Sequence, residues 1–163
     1  MRAALAMVLA GVFLAASSCS RPVDLARSCK LQAAETGWYD AGITEDGKNK
    51  LVPSVSFTLT NTGSDAWGPM QVNCIFKRLG DPEEWSTVLV RGTAAGANDL
   101  KAGATTPPIV VRAPQGYTGT QPRADILSNR LFVDAKVEIF GKSGSANWVK
   151  LGEYPVTRQL LTK

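Results

Sequence analysis

The chain reads as an all-β protein, an antiparallel β-sandwich of about seven short strands that follows an export signal. Three observations predict this class. Apolar and polar residues alternate with period two in several stretches, which is the pattern of half-buried strands. Turn-forming Gly, Pro, Asn and Asp clusters separate those stretches at spacings near ten residues. No part of the chain beyond the signal sustains a helical period, which argues against an α/β architecture.

The N-terminus sets the address. Met1-Arg2 leads into an uncharged run from Ala3 to Ala16 that stops at Ser17-Ser18-Cys19-Ser20. A single Arg, an apolar run too short to span a bilayer and then small residues match the three regions of a secretory signal, so residues 1–18 are expected to be a signal peptide. Residues 19–28 are polar with one Pro and are expected to form a tether. Residues 29–163 then form a single β-sandwich domain, since the roughly 145 residues left after the signal suit one hydrophobic core.

Taken in order, the first strand is expected around Gln32 to Ile43, turned by Glu45-Asp46-Gly47. The clearest local pattern is Ser54 to Thr60, where Val55, Phe57 and Leu59 alternate with hydroxyl residues until Asn61-Thr62-Gly63-Ser64-Asp65 ends the strand. From Met70 to Lys77, Val72, Cys74 and Phe76 share one face with Met70, which points Cys74 into the core. Trp85 to Arg91 is a β-branched strand, Gly92 to Asn98 a loop, and Ile109 to Arg112 a strand that Pro107-Pro108 places at an edge. Arg123 to Asn129 is suited to one or two helical turns. In the last hairpin Leu131, Val133, Ala135, Val137 and Ile139 share the apolar face, and beyond Gly141-Lys142-Ser143-Gly144-Ser145 the chain continues as strands at Trp148 to Leu151 and Tyr154 to Leu160.

Two resemblances add to this. Ala16-Ser17-Ser18-Cys19 resembles the lipobox of bacterial lipoproteins, although Ala16 stands where such boxes usually carry Leu. The resemblance implies that Cys19 is acylated and anchors the chain; the alternative is ordinary cleavage near Ala16 to Ser18. Several acyl chains hold a protein stably where one gives only marginal binding. Ser20 is similar to the residue found in lipoproteins sent on to the outer membrane. Phe57-Thr58-Leu59-Thr60-Asn61-Thr62-Gly63, the alternating strand to Phe76 and Leu100-Lys101-Ala102-Gly103 resemble the immunoglobulin-like and fibronectin-III-like modules of bacterial envelope proteins. That likeness covers about residues 50–115 and implies a fold without an activity.

Cysteine usage fits an oxidising compartment. The chain has three Cys and no His. With Cys19 consumed as the lipid attachment point, Cys29 and Cys74 remain as an even pair and are expected to form a disulfide. Closing that loop of about 45 residues would contribute on the order of 4 kcal/mol in the chain-entropy model.

The motifs of catalysis are missing. Without His there is no Ser-His-Asp or Cys-His system and no zincin helix, and neither G-x-G-x-x-G nor a Walker loop occurs. Asp81, Glu83 and Glu84 sit in a Pro-containing turn and read as solvated charge. Asp134 and Glu138 flank Lys136 on a polar strand face and read as partners of ion pairs. No catalytic residue, no metal ligand and no cofactor is therefore assigned. The formal charge of +4 is scattered rather than striped, which argues against nucleic-acid binding.

Aromatic residues are the remaining signal. Trp67 in a turn, Tyr117 in a Gly-containing loop, and Phe132 and Phe140 on the nominally polar face of their strand are the candidate binding surface. The expectation is a non-catalytic, lipid-anchored envelope protein, a protein-interaction or scaffold module whose partners are a membrane and another envelope protein. A carbohydrate-binding module is the alternative, marked by a flat aromatic platform, and a glycan-processing enzyme is a third reading.

Overall fold

The computed structural model describes residues 23–93 and 99–161. The signal peptide and Cys19 lie outside the described residues, as does most of the Gly92 to Asn98 loop. Among the described residues nine strands and two helical turns follow one another: α1 (Leu25–Ser28), β1 (Cys29–Ile43), β2 (Asn49–Asn61), β3 (Met70–Arg78), β4 (Ser86–Thr93), β5 (Ile109–Arg112), β6 (Tyr117–Gly119), α2 (Arg123–Ser128), β7 (Ala135–Ser143), β8 (Val149–Pro155) and β9 (Leu160–Leu161).

The strands form two sheets. In the first, β1 and β2 make a long antiparallel hairpin, β5 and β6 pair with the other edge of β2, and β9 runs parallel to β1. β5 lies at the edge, as Pro107-Pro108 predicts. The second sheet is antiparallel throughout in the order β4-β3-β7-β8. Between the sheets lies one core in which Val55, Phe57 and Leu59 of β2 join Val72, Cys74 and Phe76 of β3 and Val137 and Ile139 of β7. The period-two pattern therefore places these side chains where the sequence predicts.

Four expectations are corrected. Nine strands replace about seven, because β6 and β9 are pairings of three and two residues that no local pattern announces. The segment Tyr154 to Leu160 is not one strand. β8 ends at Pro155, and residues 156–159 carry the chain to the other sheet, where Thr36 secures it: its hydroxyl donates to the Pro155 carbonyl at 2.8 Å, and its carbonyl accepts from Gln159 Nε2 at 2.7 Å. Residues 25–28 belong to the fold rather than to a tether, since α1 is capped by Asp24 and Leu25 is buried in the core.

The fourth correction concerns sulfur. Cys29 and Cys74 are free thiols rather than a disulfide. Cys29 sits opposite Asn61 at the end of the first sheet, whereas Cys74 lies in the middle of β3 between Val88 and Ile139. Four residues separate Cys74 from Met70 at its end of β3, about 13 Å of strand, and a bridge needs Cα atoms within about 7 Å.

The molecule has two distinct ends. At one, Ser28, Asn61, Leu100, Trp67 and the Ser143-Gly144 turn are linked by backbone contacts: Thr62 donates to Ser28, Trp67 exchanges hydrogen bonds with Leu100, and Gly144 donates to Pro69. Asn61 organises this α1 end, because its buried side chain accepts from Gly63 N and donates to the Asp65 and Leu100 carbonyls. The Asn-Thr-Gly turn signal thus has a physical basis. At the other, α2 end, the β1–β2 and β3–β4 turns meet α2 and residues 131–134. The thirteen residues of β2 place the two ends about 40 Å apart.

Candidate functional site

The α2 end is built on an aromatic cluster. Trp38 of β1 is fully buried and receives Phe132 edge-on, with ring centroids 4.6 Å apart at 71°. Tyr117 of β6 packs against Trp38, Phe132 and Trp85 at 5.5, 4.7 and 5.2 Å. Gly116 lets Tyr117 reach this place, since a Cβ there would stand 2.0 Å from the Leu51 carbonyl oxygen. The rings interlock at tilted angles and form no flat platform.

Phe132 enters this cluster because residues 131–134 are not part of β7. A turn in which Phe132 N donates to the Asn129 carbonyl, and Leu131 N to Asn129 Oδ1, resets the phase of the chain. The expected faces are consequently reversed: Phe132 is 6% exposed, whereas Leu131 is 87% and Val133 40% exposed. Burying the larger aromatic gains more apolar area than burying either neighbour.

The backbone of this outward-facing segment is held from several sides. Arg158 forms an ion pair with Asp134 and donates to the Phe132 carbonyl at 3.0 Å and the Leu127 carbonyl at 3.3 Å. The hydrogen bond that Arg158 donates to Asp134 holds its guanidinium above its ordinary pKa despite partial desolvation. Tyr117 donates its hydroxyl to the Val133 carbonyl at 3.1 Å, and Leu79 N donates to the Asp134 carbonyl at 2.7 Å. Leu79, itself 49% exposed, thereby stands beside residues 133 and 134 as a third outward apolar side chain.

The four candidates from sequence fare differently. Trp67 is fully buried at the opposite end, where it pairs with Leu100, and is corrected from surface to core. Phe132 is likewise core. Tyr117 is half-buried within the cluster. Phe140 is half-buried on the outer face of β7, level with Asn73 and Lys150 on the neighbouring strands. The structure brings Tyr117 and Phe132 together and leaves Trp67 and Phe140 elsewhere. Sequence reasoning missed Trp38, Arg158 and the exposed trio Leu79, Leu131 and Val133. An Arg beyond the last hairpin carries no local pattern, and the outward leucine was assigned inward by an alternation that stops at residue 135.

Charges pair as the sequence suggests. Glu138 meets Lys77 at 3.1 Å, Lys150 at 3.2 Å and Lys136 at 3.6 Å on the outer face of β7. Burial raises its carboxyl, but the lysine hydrogen bonds outweigh this and hold it below its usual range. Glu153 is held at about 2 by hydrogen bonds from Lys150 and Lys136. Burial pushes both the Cys29 and Cys74 thiols up to about 12, so neither offers a thiolate nucleophile at neutral pH. Among the described residues no group of three or more Cys, Asp or Glu is placed to hold a metal ion, and no helix is long and apolar enough to cross a membrane.

Neither a family model nor a curated protein matches the chain. Among solved structures, the X-ray structure of Northeast Structural Genomics Consortium target SoR45 is similar with a TM-score of 0.41 and 14% identity, over 82% of this chain and 85% of that one.

Proposed function

We propose that the protein is a non-catalytic, lipid-anchored module of the bacterial envelope, an immunoglobulin-like sandwich that docks a partner protein at its α2 end. One observation carries the docking reading: Leu131, Val133 and Leu79 project apolar side chains from backbone fixed by Arg158 and Tyr117. Preordered apolar side chains favour binding, because little conformational entropy is lost when a partner covers them. Lipid attachment rests on the lipobox-like sequence ending at Cys19. The tilted, interlocked aromatic cluster gives a carbohydrate platform no support, since sugar stacking needs an accessible ring face.

A photo-crosslinking residue placed at Leu131 or Leu79 in cells, with exposed Val110 of β5 as control, tests the docking reading. A discrete protein adduct from positions 131 and 79 that is absent from 110 supports it. No adduct, or the same products from all three, overturns it. Intact-mass analysis of the membrane-extracted protein tests the anchor, with an unmodified Cys19 as the contrary result.

A further inference from the structure

Among the described residues the α1 end gathers cations that make no ion pair, and although Lys50 and Arg130 at the α2 end make none either, that end is rich in carboxylates such as Glu45, Asp81, Glu83 and Asp134. Nine ion pairs occur among the described residues, and they engage Lys48, Lys77, Arg78, Arg123, Lys136, Lys150 and Arg158. All lie at the α2 end or on the outer face of the second sheet. At the α1 end, Arg27, Lys30, Lys101 and Lys142 make no ion pair among the described residues, and the first three are exposed. Arg91 adds a fifth unpaired cation on the row that runs through Gln71 to Lys142. Of the acidic residues here, Asp24 is committed to capping α1, leaving Asp65 and Asp99.

The same end carries an exposed indole. Trp148 is 41% exposed just beyond the Ser143-Gly144 turn, and the Lys142 ammonium lies 5.7 Å from its ring centroid. Trp38 and Trp67, by contrast, are fully buried. An exposed indole beside an unpaired Lys, on an end that carries further unpaired cations, is the composition found where proteins meet lipid headgroups, because the ring suits the interfacial layer and the cations suit anionic phosphates.

The chain ahead of the described residues supplies the occupant. Val23 leads into α1, which packs against β7 and β8 at this end. Cys19 is four residues earlier, so at most about 14 Å of extended chain separates a lipid attached there from Val23. An anchor so short keeps the α1 end against the bilayer.

We infer that the α1 end rests on the anionic membrane surface, with Trp148 in the headgroup layer, Arg27, Lys30, Lys101 and Lys142 facing lipid phosphates, and the α2 end presented about 40 Å away. This rests on the proposed acylation of Cys19 and gives that anchor a fixed orientation. The lipid chains hold the protein, and the cationic face sets which way it stands.

Full-length acylated protein purified from membranes and reconstituted into vesicles of brominated phosphatidylcholine with phosphatidylglycerol tests the orientation, because bromine quenches only tryptophans at the bilayer. Wild-type emission should be quenched and the quenching lost in Trp148→Phe. Quenching should also weaken when Arg27, Lys30, Lys101 and Lys142 are all replaced by Glu, while the emission of buried Trp38 and Trp67 reports that the fold persists. Replacing phosphatidylglycerol by neutral lipid should weaken it in the same way. Protein that sediments with the vesicles but shows no Trp148-dependent quenching, or quenching indifferent to lipid charge, overturns the orientation while leaving the anchor intact. Protein that does not sediment with vesicles overturns the anchor, and the orientation falls with it.

Discussion

The guanidinium of Arg158 lies 5.0 Å from the ring centroid of Phe132 and at the same time donates a hydrogen bond to the Phe132 carbonyl at 3.0 Å. One side chain therefore holds both the ring and the backbone of the residue it covers. The contact ties the crossing at residues 156–159 to the turn that follows α2, joining the path between the sheets to the surface proposed for docking.

Replacing Arg158 by Lys should loosen this segment, since an ammonium cannot make the planar forked contacts to Asp134 and Phe132 together. Amide exchange across residues 127–136 should quicken while Trp38 emission stays that of a buried indole. Unchanged exchange would show that Arg158 is incidental to the segment's order.

Truncating the cluster should be costly. Trp38→Ala and Phe132→Ala should each destabilise by about 3–5 kcal/mol through lost burial and the cavity left behind. Because the rings meet edge-on, their effects should not add, and a double-mutant cycle in urea should return a coupling of about 1 kcal/mol. Strict additivity would mean that the contact contributes only buried area.

Acid should weaken the fold through Glu153 and Glu138. Both carboxyls are lower in the folded state than the ordinary 4.5, Glu153 reaching about 2, so their stabilisation is complete above pH 4.5 and is lost as pH falls toward 2. Denaturation midpoints should be flat from pH 6 to 8, as the chain has no His. In the double variant Glu138→Gln, Glu153→Gln the acid loss should shrink, and an identical acid limb would contradict the assignment.

The thiols should be silent in the native protein. With both held at about 12 and Cys74 fully buried, Ellman's reagent at pH 7 should react slowly with folded protein and label Cys29 and Cys74 promptly in denaturant. A bridge that must be reduced before labelling would refute the free-thiol arrangement.

Much of this architecture is legible locally. Val55, Phe57 and Leu59, then Val72, Cys74 and Phe76, then Val137 and Ile139 alternate strictly, and alternation suffices because successive side chains of a strand point to opposite faces. Pro107-Pro108 places β5 at an edge for an equally local reason, the missing amide donors. The Asn61 turn is legible too, since the asparagine bonds the backbone two residues on.

What the tertiary structure alone decides lies where chain segments distant in sequence compete for one place. Alternation extrapolated through Leu131 and Val133 points them inward, but the place beside Trp38 and Tyr117 takes Phe132 instead. Cysteine parity suggests a bridge, yet sheet register sets Cys29 and Cys74 at different heights in different sheets. Thr36 redirects the last strand through contacts spanning about 120 residues. The sequence by itself determines the strands β2, β3 and β7, their inward faces and the Asn61 turn, which depend on neighbouring residues. Tertiary structure decides which aromatic fills the end of the core, which apolar side chains are left outside and where the cations go unpaired, because those outcomes depend on what arrives from the rest of the chain.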